Sequence, residues 1–150
     1  MKRMILVVLG LLAGLAFAGT VAAECRATEG VVLDANYRPH SPMRSSVGKG
    51  YVLTGTVRAS GDCQPVAGAT VEFWMAGTDG VYRDAYRGVA VADKRGVFRI
   101  ESHFPGGSTG MAPHIHMAVA ADGFIPIQTE CFPARGSATG TFDIVLEPGG

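Results

Sequence analysis

A chain of 150 residues, 47% of them hydrophobic, is long enough for one domain with one core and too short for two. Its 13 basic and 13 acidic side chains cancel, and no basic cluster stands out, so nucleic acid is excluded as an expected partner. The three cysteines, Cys25, Cys63 and Cys131, have neither zinc-ribbon nor C-x-x-C spacing, which sets those two chemistries aside.

Met1 to Ala23 reads as a cleavable secretory signal. Lys2 and Arg3 open it, an apolar core runs from Met4 to Ala18, and the small residues Val21-Ala22-Ala23 close it. The core is short for a membrane span of about 20 residues. The expectation is therefore export, to the periplasm or beyond, with no membrane association after cleavage. Without residues 1–23 the chain keeps 127 residues, and losing Lys2 and Arg3 leaves 11 basic against 13 acidic side chains. In an exported chain, three cysteines suggest one disulfide and one thiol left over.

Residues 24–50 read as an N-terminal arm, turn-rich at Pro39, Pro42, Gly48 and Gly50 and without a sustained period. An all-β domain is expected over 51–150. Tyr51 to Arg58 alternates apolar with small or polar residues, and Ala69 to Met75 is β-branched and aromatic. The polar, irregular stretch from Val81 to Val91 reads as a loop. Strands are expected again at Gly96 to Ser102, Ala112 to Ala120, Phe124 to Glu130 and Thr141 to Leu146. Pro126 would make its strand an edge strand or a bulged one. With no window of 3.6 period and about seven short strands at regular spacing, the fold class is a single-domain antiparallel β-sandwich with function sought at one end.

Within the fourth of these strands, His114-Ile115-His116 places two imidazoles on one face, because side chains alternate along a strand. Two such rings on a stiff backbone can grip one metal ion, given further ligands.

Six motifs in order, with the arm Tyr37-Arg38-Pro39-x-x-Pro42-x-Arg44 before them, carry a resemblance. They are Gly55-Thr56-Val57, Cys63-x-Pro65-Val66-x-Gly68-Ala69-x-Val71-Glu72-Phe73-Trp74, Gly80-Val81-Tyr82, the turn and strand from Asp93 to Phe98, Phe104-Pro105-Gly106 and Pro113-His114-Ile115-His116. Together they resemble the intradiol ring-cleavage dioxygenases, the family of protocatechuate and catechol dioxygenases. The resemblance implies a β-sandwich holding non-haem ferric iron through two tyrosinates and two histidines, with a small aromatic diol and O₂ as substrates. Carried over residue by residue, His114 and His116 match the histidines and Tyr82 the first tyrosine. The second tyrosine belongs just after Pro105-Gly106, but the segment to Met111 has none, and Met111 stands where the family has an arginine.

His103 is the candidate fourth ligand, and Tyr86, Glu101, Glu130 and His40 could also fill the place. With one phenolate, Cu(II) or Zn(II) stand beside Fe(III) as metals for the site. If the first two strands form a hairpin, Cys63 turns away from the metal end, whereas Cys131 returns to it. The expected bridge is therefore Cys25 to Cys131. The different-class alternative is a metal- or ligand-binding module of the cell envelope that has kept the sandwich without catalysis.

Overall fold

The computed structural model describes residues 25–32, 34–108 and 110–150. The segment read as a secretory signal lies outside the described residues. Eight strands follow in order: β1 (Tyr51–Ala59), β2 (Thr70–Ala76), β3 (Tyr82–Val91), β4 (Val97–Ser102), β5 (Ile115–Ala120), β6 (Ile127–Cys131), β7 (Thr139–Thr141) and β8 (Ile144–Leu146), with no helix among the described residues. They form two packed sheets. The first has the order β4-β1-β7, with β8 also on β1, and the second the order β3-β2-β5-β6. All pairings are antiparallel except those of β7 and β8 with β1.

Alternation explains the core. Tyr51, Leu53 and Val57 of β1 face inward with Phe98 and Ile100 of β4, and meet Val71, Phe73 and Met75 of β2 and Ile115, Met117 and Val119 of β5. Each such side chain, removed from water, contributes about 1.5–3 kcal/mol. Gly55 occupies the same inward row where nothing larger fits, since a Cβ there would lie 1.9 Å from the Phe142 carbonyl oxygen.

Three expectations change. The stretch from 82 to 91 is a strand, not a loop. Its register with β2 shifts between Trp74 and Ala76, and a bulge of this kind breaks the period of 2 on which a strand is recognised. The stretch from Thr141 to Leu146 is two strands, because the backbone pairing with β1 breaks at Asp143, whose side-chain Oδ1 accepts from the Thr56 N–H at 2.8 Å instead. The strands β1 and β2 are not a hairpin but belong to different sheets. Pro126 stands just before β6, which is an edge strand as a proline there requires.

The disulfide also differs from the expected Cys25 to Cys131. It joins Cys25 to Cys63, 38 residues apart, and Cys131 is a free, buried cysteine. The expectation kept the whole arm at the end where it enters β1. An extended chain covers about 3.3 Å per residue, however, and this arm encircles the domain. Cys25 starts it beside Gly61, Thr28 bonds Val145, and the Val31 N–H reaches the Gln128 carbonyl on β6. It then crosses the outer face of the second sheet, where the Ser41 N–H bonds Glu72. Val89 N–H to Pro42 O and Glu101 N–H to Ser45 O fix it to β3 and β4.

Cys131 ends β6 opposite Ile115, and burial pushes its thiol up to about 11. Native protein at pH 8 should therefore resist alkylation at Cys131 and gain one label only when unfolded, which intact-mass measurement reads directly.

Candidate metal centre

Register builds the site. Trp74 pairs with His116, His116 with Glu130, and Ala76 with Tyr82. Because Phe73, Met75, Ile115 and Met117 face the core, Trp74, His114 and His116 face the other way. The site thus lies on the outer face of the second sheet, near the start of β5, rather than at the open end of the sandwich. His114 and His116 are nonetheless 1% and 4% exposed, because the arm covers them. The Trp74 indole stacks on the His116 ring with an interplanar angle of 3°.

Tyr82 Oη lies 3.1 Å from His114 Nε2 and 2.9 Å from His116 Nε2, and the two Nε2 atoms are 2.9 Å apart. The opposite ring nitrogens are committed. His114 Nδ1 is 2.8 Å from the Ala112 carbonyl and His116 Nδ1 is 3.2 Å from Glu130 Oε1. Both partners are acceptors, so each Nδ1 carries a proton, and in its neutral form each ring turns a bare Nε2 lone pair inward. One phenol proton cannot satisfy two such lone pairs, but a cation satisfies both nitrogens and the oxygen. Separations of 2.9–3.1 Å also suit donors meeting at about right angles on bonds of about 2.0–2.1 Å. The donor set therefore fits a metal ion.

The surrounding charges act in the same sense. Burial pushes the Tyr82 phenol above its usual range; the Ser108 hydroxyl partly offsets this, while Asp34 and Glu130 add to it. Ionisation of Tyr82 thus calls for a cation beside it. Burial lowers His116, with Asp34 pulling the other way and His114 reinforcing the shift, which favours the neutral ring a metal needs. Burial alone would raise the Asp34 carboxyl. The Trp74 indole N–H at 2.8 Å, His116 and Asn36 outweigh it and hold Asp34 below the usual carboxylate range.

The structure thus brings together Tyr82, His114 and His116 but not His103, whose Nε2 is 3.1 Å from the Ala76 carbonyl and whose ring packs edge-on against Tyr86. Tyr86 is committed to that contact, Glu101 pairs with Arg99, and His40 lies in a separate cleft with Arg38 and Arg44. Glu130 clusters with both histidines, all ligand atoms within 4.8 Å. Because it occupies the Nδ1 side of His116, we read it as the anchor of that ring. Replacing Glu130 by Ala should weaken metal binding by about 10–100-fold, the usual cost of losing such a partner, as measured by competition with a chromophoric chelator.

Asp34, Trp74 and Ser108 are the participants that sequence reasoning missed. Asp34 is the only acid between Glu29 and Asp62, in an arm whose path has no periodic signal. Asp34 and Ser108 line a cleft of about 260 Å³ together with Val32 and Met111, and Trp74 backs it through Asp34 and His116. A larger cleft, about 660 Å³, lies at the opposite end around Pro65, Thr70 and Phe124, away from this chemistry.

No family model matches the chain. It is 30% identical over 107 residues to a chlorocatechol 1,2-dioxygenase of Pseudomonas sp. (strain P51), covering 54% of this chain and 42% of that protein. With the chlorocatechol 1,2-dioxygenase of Pseudomonas putida it shares 28% identity over 130 residues, 69% of this chain and 46% of the other. The chain thus spans less than half the length of these relatives. Among solved structures, the dioxygenase domain of a dioxygenase carbohydrate-binding protein fusion from Streptomyces sp. SirexAA-E superposes with a TM-score of 0.74 at 25% identity, over 83% of this chain and all of that one. The chlorocatechol 1,2-dioxygenase structure from Pseudomonas putida gives a TM-score of 0.68 at 22% identity, over 82% and 73%, a likeness of fold.

Proposed function

From the premise that this chain is intradiol ring-cleavage dioxygenase-like in sequence and fold, we propose that it is a non-haem iron enzyme. It would open catechol-type aromatic diols with O₂, breaking the bond between the two hydroxyl-bearing carbons. The observation that carries this reading is the meeting of Tyr82, His114 and His116 within 3.1 Å of one another.

Bound ferric iron supplies a Lewis-acidic, redox-active centre that a diol can chelate. The chain's part is to build and hold that site. Tyr82 offers a hard phenolate oxygen, which favours the ferric state, and the imidazoles add two donors of broad affinity. The Ala112 carbonyl and Glu130 fix both rings as Nδ1–H tautomers, and Trp74 holds the His116 plane. Val32 and Met111 at the cleft mouth offer an apolar approach for a flat ring. The Cys25 to Cys63 bridge supports the further proposal of export to the periplasm or beyond, where disulfides persist.

A second reading, a metal- or ligand-binding module without catalysis, is favoured by one feature: Met111 brings no cation to the place where the family has an arginine. The test is to load purified protein with iron and follow oxygen uptake across a catechol series, with mass analysis for a ring-opened diacid carrying both atoms of O₂. Uptake with that product supports the enzyme. Stoichiometric iron without uptake on any catechol favours the binding module, and protein that takes up no metal sinks both metal readings.

A further inference from the structure

We propose that Asp34 is the fourth protein donor to this metal, an anionic ligand supplied by the N-terminal arm in place of a second tyrosinate. The inference rests on the metal-site reading above and goes one residue beyond it.

Position is the first argument. Asp34 Oδ2 lies 3.6 Å from His116 Nε2, on the nitrogen face that also meets Tyr82 and His114. Two donors with bonds of about 2.0–2.2 Å to one ion are 3.6 Å apart when they subtend about 120°, so the spacing belongs to a coordination shell. The carboxylate is also held as ligating carboxylates are, by hydrogen bonds on its other sides. Trp74 Nε1–H donates to Oδ2 at 2.8 Å, and Asn36 Nδ2–H donates to Oδ1 at 3.2 Å.

Charge is the second argument. Among the described residues, the only ion-pair partner of Asp34 is His116 Nε2, and that nitrogen carries no proton when Nδ1 donates to Glu130. Arg87, the buried arginine on the same face, pairs with Asp84 and donates to the Asn36 carbonyl. Asp34 thus turns a carboxylate oxygen toward the His116 Nε2 that Tyr82 Oη also meets. In the segment where a second tyrosine was expected, Ser108 hydrogen-bonds Tyr82 and provides no negative charge. Asp34 restores a second anionic oxygen to the set.

Delivery is the third. The arm is pinned on both sides of Asp34, by Val31 N–H to Gln128 O before it and by Tyr37 packed on Trp74 at 5.2 Å after it. Asp34 is thus presented from a fixed support, without a loop having to close.

Two variants test this. Asp34→Asn, near-isosteric, should lower Fe(III) affinity at least tenfold while the iron-saturated protein keeps the visible band that depends on Tyr82. Asp34→Cys loaded with Co(II) should show a thiolate-to-cobalt charge-transfer band absent from the wild type and from Asp34→Ser. Unchanged affinity in Asp34→Asn, or cobalt-loaded Asp34→Cys without that band, overturns the assignment. If wild-type protein binds no metal, the site reading itself fails; if it binds iron and shows the Tyr82 band while the Asp34 variants behave as wild type, only Asp34 is withdrawn.

Discussion

Changing Tyr82 to Phe should bleach the iron-loaded protein and end oxygen uptake with catechols. The colour expected of the wild type is charge transfer from a phenolate orbital to ferric iron, and among the described residues Tyr82 Oη is the phenol oxygen within reach of both Nε2 atoms. Phenylalanine keeps the ring on the same bulged stretch of β3 and removes one atom, so the fold is retained and the effect is read at the metal. Affinity for Fe(III) should fall by more than the 10–100-fold that loss of an outer-shell partner costs, because a hard anionic donor is gone and neutral imidazoles favour softer or divalent ions. The measurement is the visible spectrum at matched iron occupancy, with circular dichroism to establish that the variant is folded. A band that survives in Tyr82→Phe would remove Tyr82 from the ligand set.

The histidine pair was legible because strand periodicity is local. His114 and His116 share a face whatever the rest of the chain does, and the residues around them carry the family order. Tyr82 was legible only through Gly80-Val81-Tyr82, since its own strand hides behind a register shift beside Trp74. The side of the sheet was not legible. Trp74 is buried like its core-facing neighbours, yet the partner that buries it is the arm through Asp34 and Tyr37, with Asp34 40 residues away in sequence. The same long-range packing hid Asp34, because an irregular arm declares neither its path nor its inward side chains. The disulfide failed for a related reason: pairing depends on where the arm begins, and only its contacts with Gly61, Val145 and Gln128 fix that.

That bridge carries the largest stability effect expected of the chain. Joining Cys25 to Cys63 closes a separation of 38 residues, and the loop-entropy relation for a closure of that size gives about 4 kcal/mol at 25 °C. Against a typical total of about 5–15 kcal/mol, loss of the bridge consumes much of the margin. The variant to make replaces both Cys25 and Cys63 by Ser, so that no new thiol can pair with Cys131. Its urea midpoint should fall accordingly, and its m-value should rise, because an unbridged denatured chain exposes more surface. The local consequence reaches the metal. Without the bridge, the start of the arm is held by Gly61 on Cys25, Thr28 on Val145 and Val31 on Gln128, hydrogen bonds worth about 0.5–1.5 kcal/mol each. The segment carrying Asp34 then opens before the sandwich does. Iron affinity in the double variant should therefore drop under conditions where circular dichroism still reports folded sheets. Peptide mapping of the wild type should recover Cys25 linked to Cys63 and Cys131 free; recovery of Cys131 in the bridge would refute the pairing and the anchored arm together.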